Sequence, residues 1–361
     1  MMADGRGVQI RELVNQQYRG VVPSLVDGEV KLCKVTGGRR WVRSENRTFF
    51  NVVTPSTPRS CSGNYKGPDL AADHPVITQF GPVPVCELEP GLHRIVTETP
   101  TANAEQRSLI VGSLLGDGGF YEQFGGKQQR QNCNTCGLWF SQSAPRLDYV
   151  KWKHDSLINL APGSNCGITP ASGRKNEVHR YALNATRYFN YLRLTLPRRT
   201  AAEHGHRRLI ITDEVFDLLG PIGFAVWYMD DGSISPGGQA VLTASKLTTD
   251  EIEISERRWA EFLDEEIRYI PKAKNFYFSC RAFGAFRDRV LPYIHPSVAY
   301  KMPGAPTVAY EIDQSFGGLY HEEILKIEEI ERIVKDGSNT RFSLEVPESG
   351  NFLTMAGFVA C

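Results

Sequence analysis

Two stretches of this chain each combine an almost uncharged run of one helix's length with a terminal Asp and Gly. They are residues 108–118 (SLIVGSLLGDG) and 221–232 (PIGFAVWYMDDG). An acid in the last turn of a helix faces the negative end of the macrodipole, which costs up to ~1 kcal/mol. The following Gly predicts a left-handed residue that ends the helix. One such copy is typical of an ordinary core helix, whereas two copies indicate a shared function for Asp117 and Asp231.

Small residues predict that the two helices pack closely. Gly112 and Gly116 are four residues apart and share one helix face, and Gly223 and Ala225 place small residues near the start of the second helix. Close packing would bring both acidic ends together. Two adjacent carboxylates repel each other unless a cation lies between them, and Mg²⁺ prefers carboxylate and water ligands. We therefore expect a divalent metal, Mg²⁺, at these helix ends.

The two motifs resemble those of a known family. VGSLLGDG and FAVWYMDDG are similar to the paired motifs of LAGLIDADG homing endonucleases of the single-chain, two-repeat type. Residues 242–245 (LTAS) and 291–302 (LPYIHPSVAYKM) resemble the rest of the family's second repeat in order and spacing. The resemblance covers roughly 105–305. It implies an α+β fold of two pseudo-symmetric αββαββα repeats and a monomeric, Mg²⁺-dependent enzyme that hydrolyses phosphodiesters on both strands of a long double-stranded DNA target.

The resemblance also implies roles for individual residues. Asp117 and Asp231 would bind the active-site metal, with Asp230 as a neighbour. Lys301 stands where the family has a basic active-site residue. In the first repeat that position falls on Arg208 (or Arg207). Arginine keeps its charge but does not readily give up a proton, so we expect Arg208 to act only electrostatically.

The charge of the chain is balanced overall but uneven along its length. Lys plus Arg and Asp plus Glu number 41 each, yet residues 121–210 hold 14 basic and 5 acidic residues among many aromatic ones. Residues 306–350 hold 4 basic and 10 acidic residues. A basic, aromatic segment is typical of phosphate-backbone binding. Strand-like pieces at 138–143 and 275–281 could lie in the major groove of DNA and contact base edges through their side chains. The predicted DNA-binding residues are Arg130, Gln142, Lys151, Lys153, Arg187 and Arg207.

The flanks of this region predict a second, β-rich domain into which the first is inserted. We expect domains at 1–100, 103–305 and 308–361, the outer two forming one Hint-like β-domain. Residues 71–81 (AADHPVITQFG) and 341–360 resemble, more weakly, the two halves of an intein, with His74 at the position that assists the first acyl shift. An N-terminal Cys or Ser and a terminal His-Asn pair are missing. We therefore expect an intein-like endonuclease whose splicing ends are lost or lie outside this chain.

Other interpretations of the sequence stay open. A non-cleaving, DNA- or RNA-binding protein of the maturase kind would use the same scaffold, and a protein-splicing intein would use the same flanks. Cys133 and Cys136 could bind zinc together with Cys166 and His154 or His179, although free thiols in a loop are favoured. Because no signal peptide or membrane-length apolar run is visible, we expect a soluble protein of a reducing intracellular compartment, with no membrane partner.

Overall fold

The computed structural model describes residues 8–43, 48–54, 69–122, 136–162, 164, 178–199, 209–235, 238–244, 247–331, 339–354 and 357–360. They divide into two compact units. One includes Met1–Thr101 and Gly318–Cys361, and the other includes Ala102–Gly125 and Thr135–Gly317. Each unit is described by itself below.

The first unit is built almost entirely of strands. Its elements are α1 (Ile10–Asn15), β1 (Val21–Val26), β2 (Glu29–Lys34), β3 (Gly37–Arg43), β4 (Thr48–Val53), β5 (Asp69–Ala71), β6 (Pro75–Thr78), β7 (Gly81–Pro84), β8 (Arg94–Ala102), β16 (Phe316–Glu323), β17 (Lys326–Glu331), β18 (Asn339–Glu345), β19 (Asn351–Thr354) and β20 (Gly357–Ala360). Strands from the two ends of the chain pair with each other: β3 with β18, β4 with β17 and β6 with β20. The β-rich flanks of the sequence therefore form shared sheets.

Alternation of apolar residues gives this unit its interior. Val52 of β4 and Val76 of β6 are fully buried, as is Ile95 of β8, and they belong to one apolar cluster with Ile324 and Phe352. The acidic stretch that begins at Glu322 forms the end of β16 and then β17.

The second unit mixes helices and strands in a repeated order. Its elements are α2 (Ala104–Leu115), β9 (Gly118–Glu122), β10 (Cys136–Ser143), α3 (Leu147–Asp155), β11 (Val178–Thr186), α4 (Arg187–Thr195), α5 (Asp213–Asp217), α6 (Pro221–Asp231), β12 (Gly232–Ile234), β13 (Ala240–Thr243), α7 (Thr249–Leu263), β14 (Ile267–Ile270), β15 (Asn275–Phe278) and α8 (Cys280–Val290). The series from α6 to α8 has the predicted αββαββα order. The series from α2 to α4 matches it, except that the segment before β11 lies outside the described residues.

Each repeat has its own antiparallel sheet. The strand orders are β11-β10-β9 in the first and β12-β13-β15-β14 in the second. Thus the strand that follows each motif helix lies at one edge, beside the next strand of the chain. The predicted α+β class is confirmed. Among the helices of the described ranges, none has the length and apolar character needed to cross a membrane.

Helix starts in this unit follow from local capping. Asn103 and Gln106 form a reciprocal capping box at α2, and Thr248 and Glu251 form another at α7. Behind α6, Phe224 stacks on Phe262 with ring centroids 4.0 Å apart. These contacts hold the two motif helices within one continuous apolar core.

Candidate active site at two helix ends

Helices α2 and α6 approach so closely that a methyl group would not fit between them. A Cβ added at Gly112 would lie 2.3 Å from the carbonyl oxygen of Gly223. One added at Gly116 would lie 2.5 Å from Asp230 Cβ and Oδ2. The prediction that small residues let these helices pack closely is confirmed.

Ser108 of α2 supplies the cap that α6 lacks in its own sequence. Gly220 precedes Pro221 and has no side chain to accept the first amide protons of the helix. Ser108 Oγ accepts hydrogen bonds from Gly220 N at 2.8 Å and from Gly223 N at 2.9 Å. A side chain of one motif helix therefore satisfies the start of the other.

The glycines after the helices are required by close approach and not by a left-handed backbone. α2 ends at Leu115. Gly118, which follows Asp117, is not among the described residues with a positive φ, and Gly232, which follows α6, has φ −83°. A Cβ on Gly232 would lie 2.3 Å from Tyr228 Cδ2. The predicted left-handed C-terminal residue is wrong at both helices. Asp117 lies two residues beyond α2, whereas Asp231 is the last residue of α6.

The carboxylates at these ends join a buried polar network. Asp117 N donates to Asp230 Oδ2 at 3.2 Å. Gln142 lies next to the C-terminal residue of β10. Its Nε2 donates to Asp117 Oδ2 at 2.6 Å and to Asp230 Oδ1 at 3.2 Å. Lys153 Nζ of α3 lies 2.7 Å from each oxygen of Asp230. The acid that faces Asp117 in this network is therefore Asp230.

The electrostatics of the site favour a bound cation at Asp117. Burial and, to a smaller extent, the charge of Asp230 raise the pKa of Asp117 to about 6 against the opposing effect of Lys153. A carboxylate whose ionised form is disfavoured by burial gains stability from a nearby positive charge. Asp231 is half-buried beside this cluster, and its charge acts on Lys301.

Lys301 lies at the C-terminal end of α6. Its Nζ donates to Met229 O at 2.6 Å and to Asp230 O at 3.2 Å. Burial lowers its pKa to about 8, and the charge of Arg146 lowers it as well, while the three nearby aspartates oppose this shift. A cation on the last carbonyls of a helix offsets the negative end of its dipole.

Sequence reasoning missed Arg146 as a member of the site. Arg146 Nη1 donates to Gln142 Oε1 at 3.0 Å, and its guanidinium lies 5.7 Å from the ring centre of the exposed Tyr300. The spacing of four residues from Gln142 was visible in the sequence. It carried no signal because a strand end and a short 3₁₀ turn separate the two residues.

Two predicted DNA contacts need correction. The side chain of Lys153 is 1% exposed and paired with Asp230, so it does not reach a DNA backbone outside. Gln142 is buried, and its amide holds Asp117 and Asp230 instead of facing a base edge. Both residues belong to the interior of the site.

Of the other predicted DNA-binding residues, the structure describes Lys151 and Arg187. Lys151 is exposed on α3, and Arg187 is half-buried at the first position of α4. For both, DNA binding stays a prediction. Arg130, Arg207 and Arg208 lie outside the described residues.

The remaining sequence signals lie elsewhere in the two units. His74 is half-buried between β5 and β6, where its amide donates to Ala71 O at 2.9 Å and its carbonyl accepts from Val85 N at 3.0 Å. Its role in splicing stays a prediction. Cys136 is buried in β10, and His154 is buried on α3.

The described part of the chain does not contain the zinc site that the cysteines could form. That part contains no group of three or more His, Cys, Asp or Glu side chains placed to hold a metal. Cys133, Cys166 and the side chain of His179 lie outside it. Mg²⁺ needs fewer protein ligands than zinc, because it commonly binds one or two carboxylates together with water and phosphate oxygens.

Comparison with known proteins agrees with the two motifs. Residues 107–255 match the sequence model of the LAGLIDADG DNA endonuclease family. Protein RecA of Mycolicibacterium flavescens is 24% identical over 82% of this chain and 70% of its own length. Protein RecA of Mycobacterium gastri is 24% identical over 97% of this chain and 84% of its own length. The resemblance predicted for the middle of the chain is thereby confirmed.

Two further similarities each cover a little over half of the chain. The cytochrome b mRNA maturase bI2 of Debaryomyces hansenii is 22% identical over 55% of this chain and 73% of its own length. The solved structure of the homing endonuclease I-WcaI bound to its DNA recognition sequence is 19% identical, with a TM-score of 0.42, over 56% of this chain and 87% of that one.

Proposed function

We propose that the second unit, which carries the LAGLIDADG endonuclease region, is a metal-dependent homing endonuclease. Its substrate would be a long double-stranded DNA target, cut at one phosphodiester on each strand. The observation that carries this proposal is the meeting of the acidic ends of α2 and α6 where the helices pack through Gly112 and Gly223. Buried carboxylates at such a junction are costly for stability, so a catalytic use explains them.

Asp117 and Asp231 are the residues that we propose to hold the metal, with Mg²⁺ as the expected ion. Asp230 is less suited because both of its oxygens accept hydrogen bonds from protein donors. When bound, a divalent ion supplies an acidified water and neutralises charge on the phosphate. The donor set fits, since two carboxylates leave coordination positions for water and phosphate oxygens.

The protein's own residues would prepare the phosphate for attack. Arg146 is half-buried beside Gln142, and its guanidinium offsets negative charge that develops on the phosphate. Lys301 holds the end of α6 and thereby the orientation of Asp231. Gln142 fixes one oxygen of Asp117 through its amide. No covalent nucleophile is needed in this scheme.

The test is cleavage of supercoiled plasmids that carry candidate insertion sites, including genes for RecA proteins, with Mg²⁺ or Mn²⁺. Asp117→Asn and Asp231→Asn should each abolish cleavage and leave target binding, measured by gel shift, within about threefold of the unmodified protein, because only metal ligands are lost. Asp288→Asn is the matched control, since this side chain is 72% exposed on α8 and pairs with Arg287. Undiminished cutting by either active-site variant would sink the proposal.

A second candidate function is RNA or DNA binding without cleavage. The similarity to an mRNA maturase favours it. In that case the wild-type protein would bind structured intron RNA tightly and would leave every plasmid intact at all metal concentrations.

We further propose that the first unit is a Hint-like β-domain derived from an intein. The pairing of strands from both chain ends supports this, and so does a similarity to RecA proteins that extends over both flanks as well as the middle. The coding sequence on either side of this chain decides the matter. A Cys or Ser codon before it and His-Asn codons after it would indicate retained splicing.

A further inference from the structure

Lys153 is a buried charge that the proposed mechanism does not use. It lies on α3 between the exposed residues Lys151 and Asp155, yet its own side chain is 1% exposed and that of Asp230 is 0% exposed. Its ammonium also lies 4.4 Å from the ring centre of Tyr149 and 5.6 Å from that of Phe140. A lysine is rarely buried so completely unless it is paired, because removing its charge from water is expensive.

The pair with Asp230 engages that carboxylate on both oxygens. Oδ1 accepts from Lys153 and Gln142, and Oδ2 accepts from Lys153 and the amide of Asp117. A carboxylate has about four acceptor positions, so protein donors can occupy all of those on Asp230. The amide of Asp117 and the side chain that holds its carboxylate are both anchored on Asp230.

Lys153 therefore influences Asp117 through Asp230. Without the ammonium, two carboxylates would share a desolvated junction and repel each other, and Asp230 would become available to a metal ion. When the Lys153 ammonium is present, it neutralises the Asp230 carboxylate inside the protein, and Asp117 keeps a fixed backbone and side-chain position.

We propose that Lys153 is a positioning residue, a built-in counterion that keeps Asp230 out of metal coordination and holds Asp117 in place before any metal binds. Its catalytic consequence rests on the proposed endonuclease function. Its effect on metal affinity rests on the proposed metal site, and its effect on stability rests on neither.

The first experiment measures thermal unfolding of the full chain in EDTA. Lys153→Met should lower the midpoint by about 10 °C, because it leaves a buried carboxylate unpaired. Lys153→Met combined with Asp230→Asn should recover at least about half of that loss, because no buried charge remains. Lys151→Met, on the exposed side of the same helix, should leave the midpoint unchanged.

The second experiment titrates the same proteins with Mn²⁺ alone, following free Mn²⁺ by electron paramagnetic resonance. Lys153→Met should bind Mn²⁺ about tenfold more tightly than wild type, because Asp230 becomes an additional ligand. The double variant should return to within about threefold of wild type. Where cleavage is measured, Lys153→Met should lower kcat with little change in KM, since the residue does not reach the surface.

The outcomes separate the two proposals. An unchanged midpoint for Lys153→Met, an absence of recovery in the double variant, or an Mn²⁺ affinity that does not rise would each overturn the role of Lys153. If Lys153→Met is insoluble and the double variant folds, the counterion role is supported; if neither folds, it is overturned. A wild-type protein that never cuts DNA would overturn the endonuclease alone.

Discussion

Substitution of Gly112 by Ala tests the helix contact on which the active site depends. The added Cβ would lie 2.3 Å from Gly223 O and 2.9 Å from Gly223 C and Cα. All three are backbone atoms, so no side chain can rotate away. Ordinary van der Waals contact begins near 3.4 Å, so α2 and α6 must separate locally by about 1 Å.

The expected loss of stability follows from two opposing terms. Overpacking a rigid contact costs about 1–3 kcal/mol or more, and the upper end applies here because the neighbour is backbone. Alanine in place of glycine inside a helix returns about 1 kcal/mol. The net loss is therefore about 2 kcal/mol, read from urea unfolding. A shift of about 1 Å at the helix ends should also reduce kcat about 100-fold.

Gly284→Ala provides the matched control. Gly284 lies within α8, and a Cβ there would meet no atom within 4 Å. It should stabilise the protein by up to about 1 kcal/mol and leave cleavage unaffected. If Gly112→Ala unfolds at the same urea concentration as Gly284→Ala, then α2 and α6 do not touch at these glycines, and the derivation of the site from their packing fails.

Three further predictions follow from individual contacts. Ser108→Ala should cost about 1–3 kcal/mol in urea unfolding, because the amides of Gly220 and Gly223 lose their acceptor; Ser113→Ala, which removes a buried hydroxyl with no hydrogen-bond partner among the described residues, should be nearly neutral. Glu251→Ala should cost about 3–5 kcal/mol, because it breaks the buried ion pair with Arg199 and removes an acceptor for Ile211 N; equal stability of this variant and the exposed-site variant Glu253→Ala would contradict the buried pair. The pKa of Asp117 is raised from its ordinary value of 3.8 to about 6 in the folded protein, so the stability that the protonated carboxyl contributes is fully present below pH 3.8 and is lost as the pH rises through 6. Asp117→Asn should therefore stabilise the metal-free protein by about 1–2 kcal/mol at pH 7.5 and not at pH 3.5, while Mn²⁺ affinity of the wild type should fall as the pH drops below about 6; a pH-independent difference would refute the assignment.

The sequence was sufficient to predict the close packing of the motif helices and the α+β class. The packing follows from small residues on one helix face, and the α+β class follows from the resemblance of the two motifs to those of a known family. A sequence pattern is informative where a residue's own neighbours along the chain decide its environment.

The interior of the site was not predictable in this way. Lys153 and Lys151 are two residues apart in a basic segment, and composition alone does not indicate which of them is buried. Only the orientation of α3 against β10 and α6 makes one of them exposed and the other fully buried. Gln142 was misassigned for a similar reason, since its position at the end of β10 matters only once Asp117 and Asp230 are brought beside it.

The unfavourable free energy of an acidic side chain at the C-terminal end of each motif helix is offset by cationic side chains from distant parts of the chain. An acid near the last carbonyls of a helix is disfavoured by the dipole, and burial increases this penalty. Lys301 places its ammonium on the carbonyls of Met229 and Asp230, while Lys153 neutralises the Asp230 carboxylate itself. Both lysines are almost fully buried, so neither serves solubility. We infer that the fold supplies two internal positive charges so that Asp117 and Asp231 can keep the negative charge that the proposed metal ion requires.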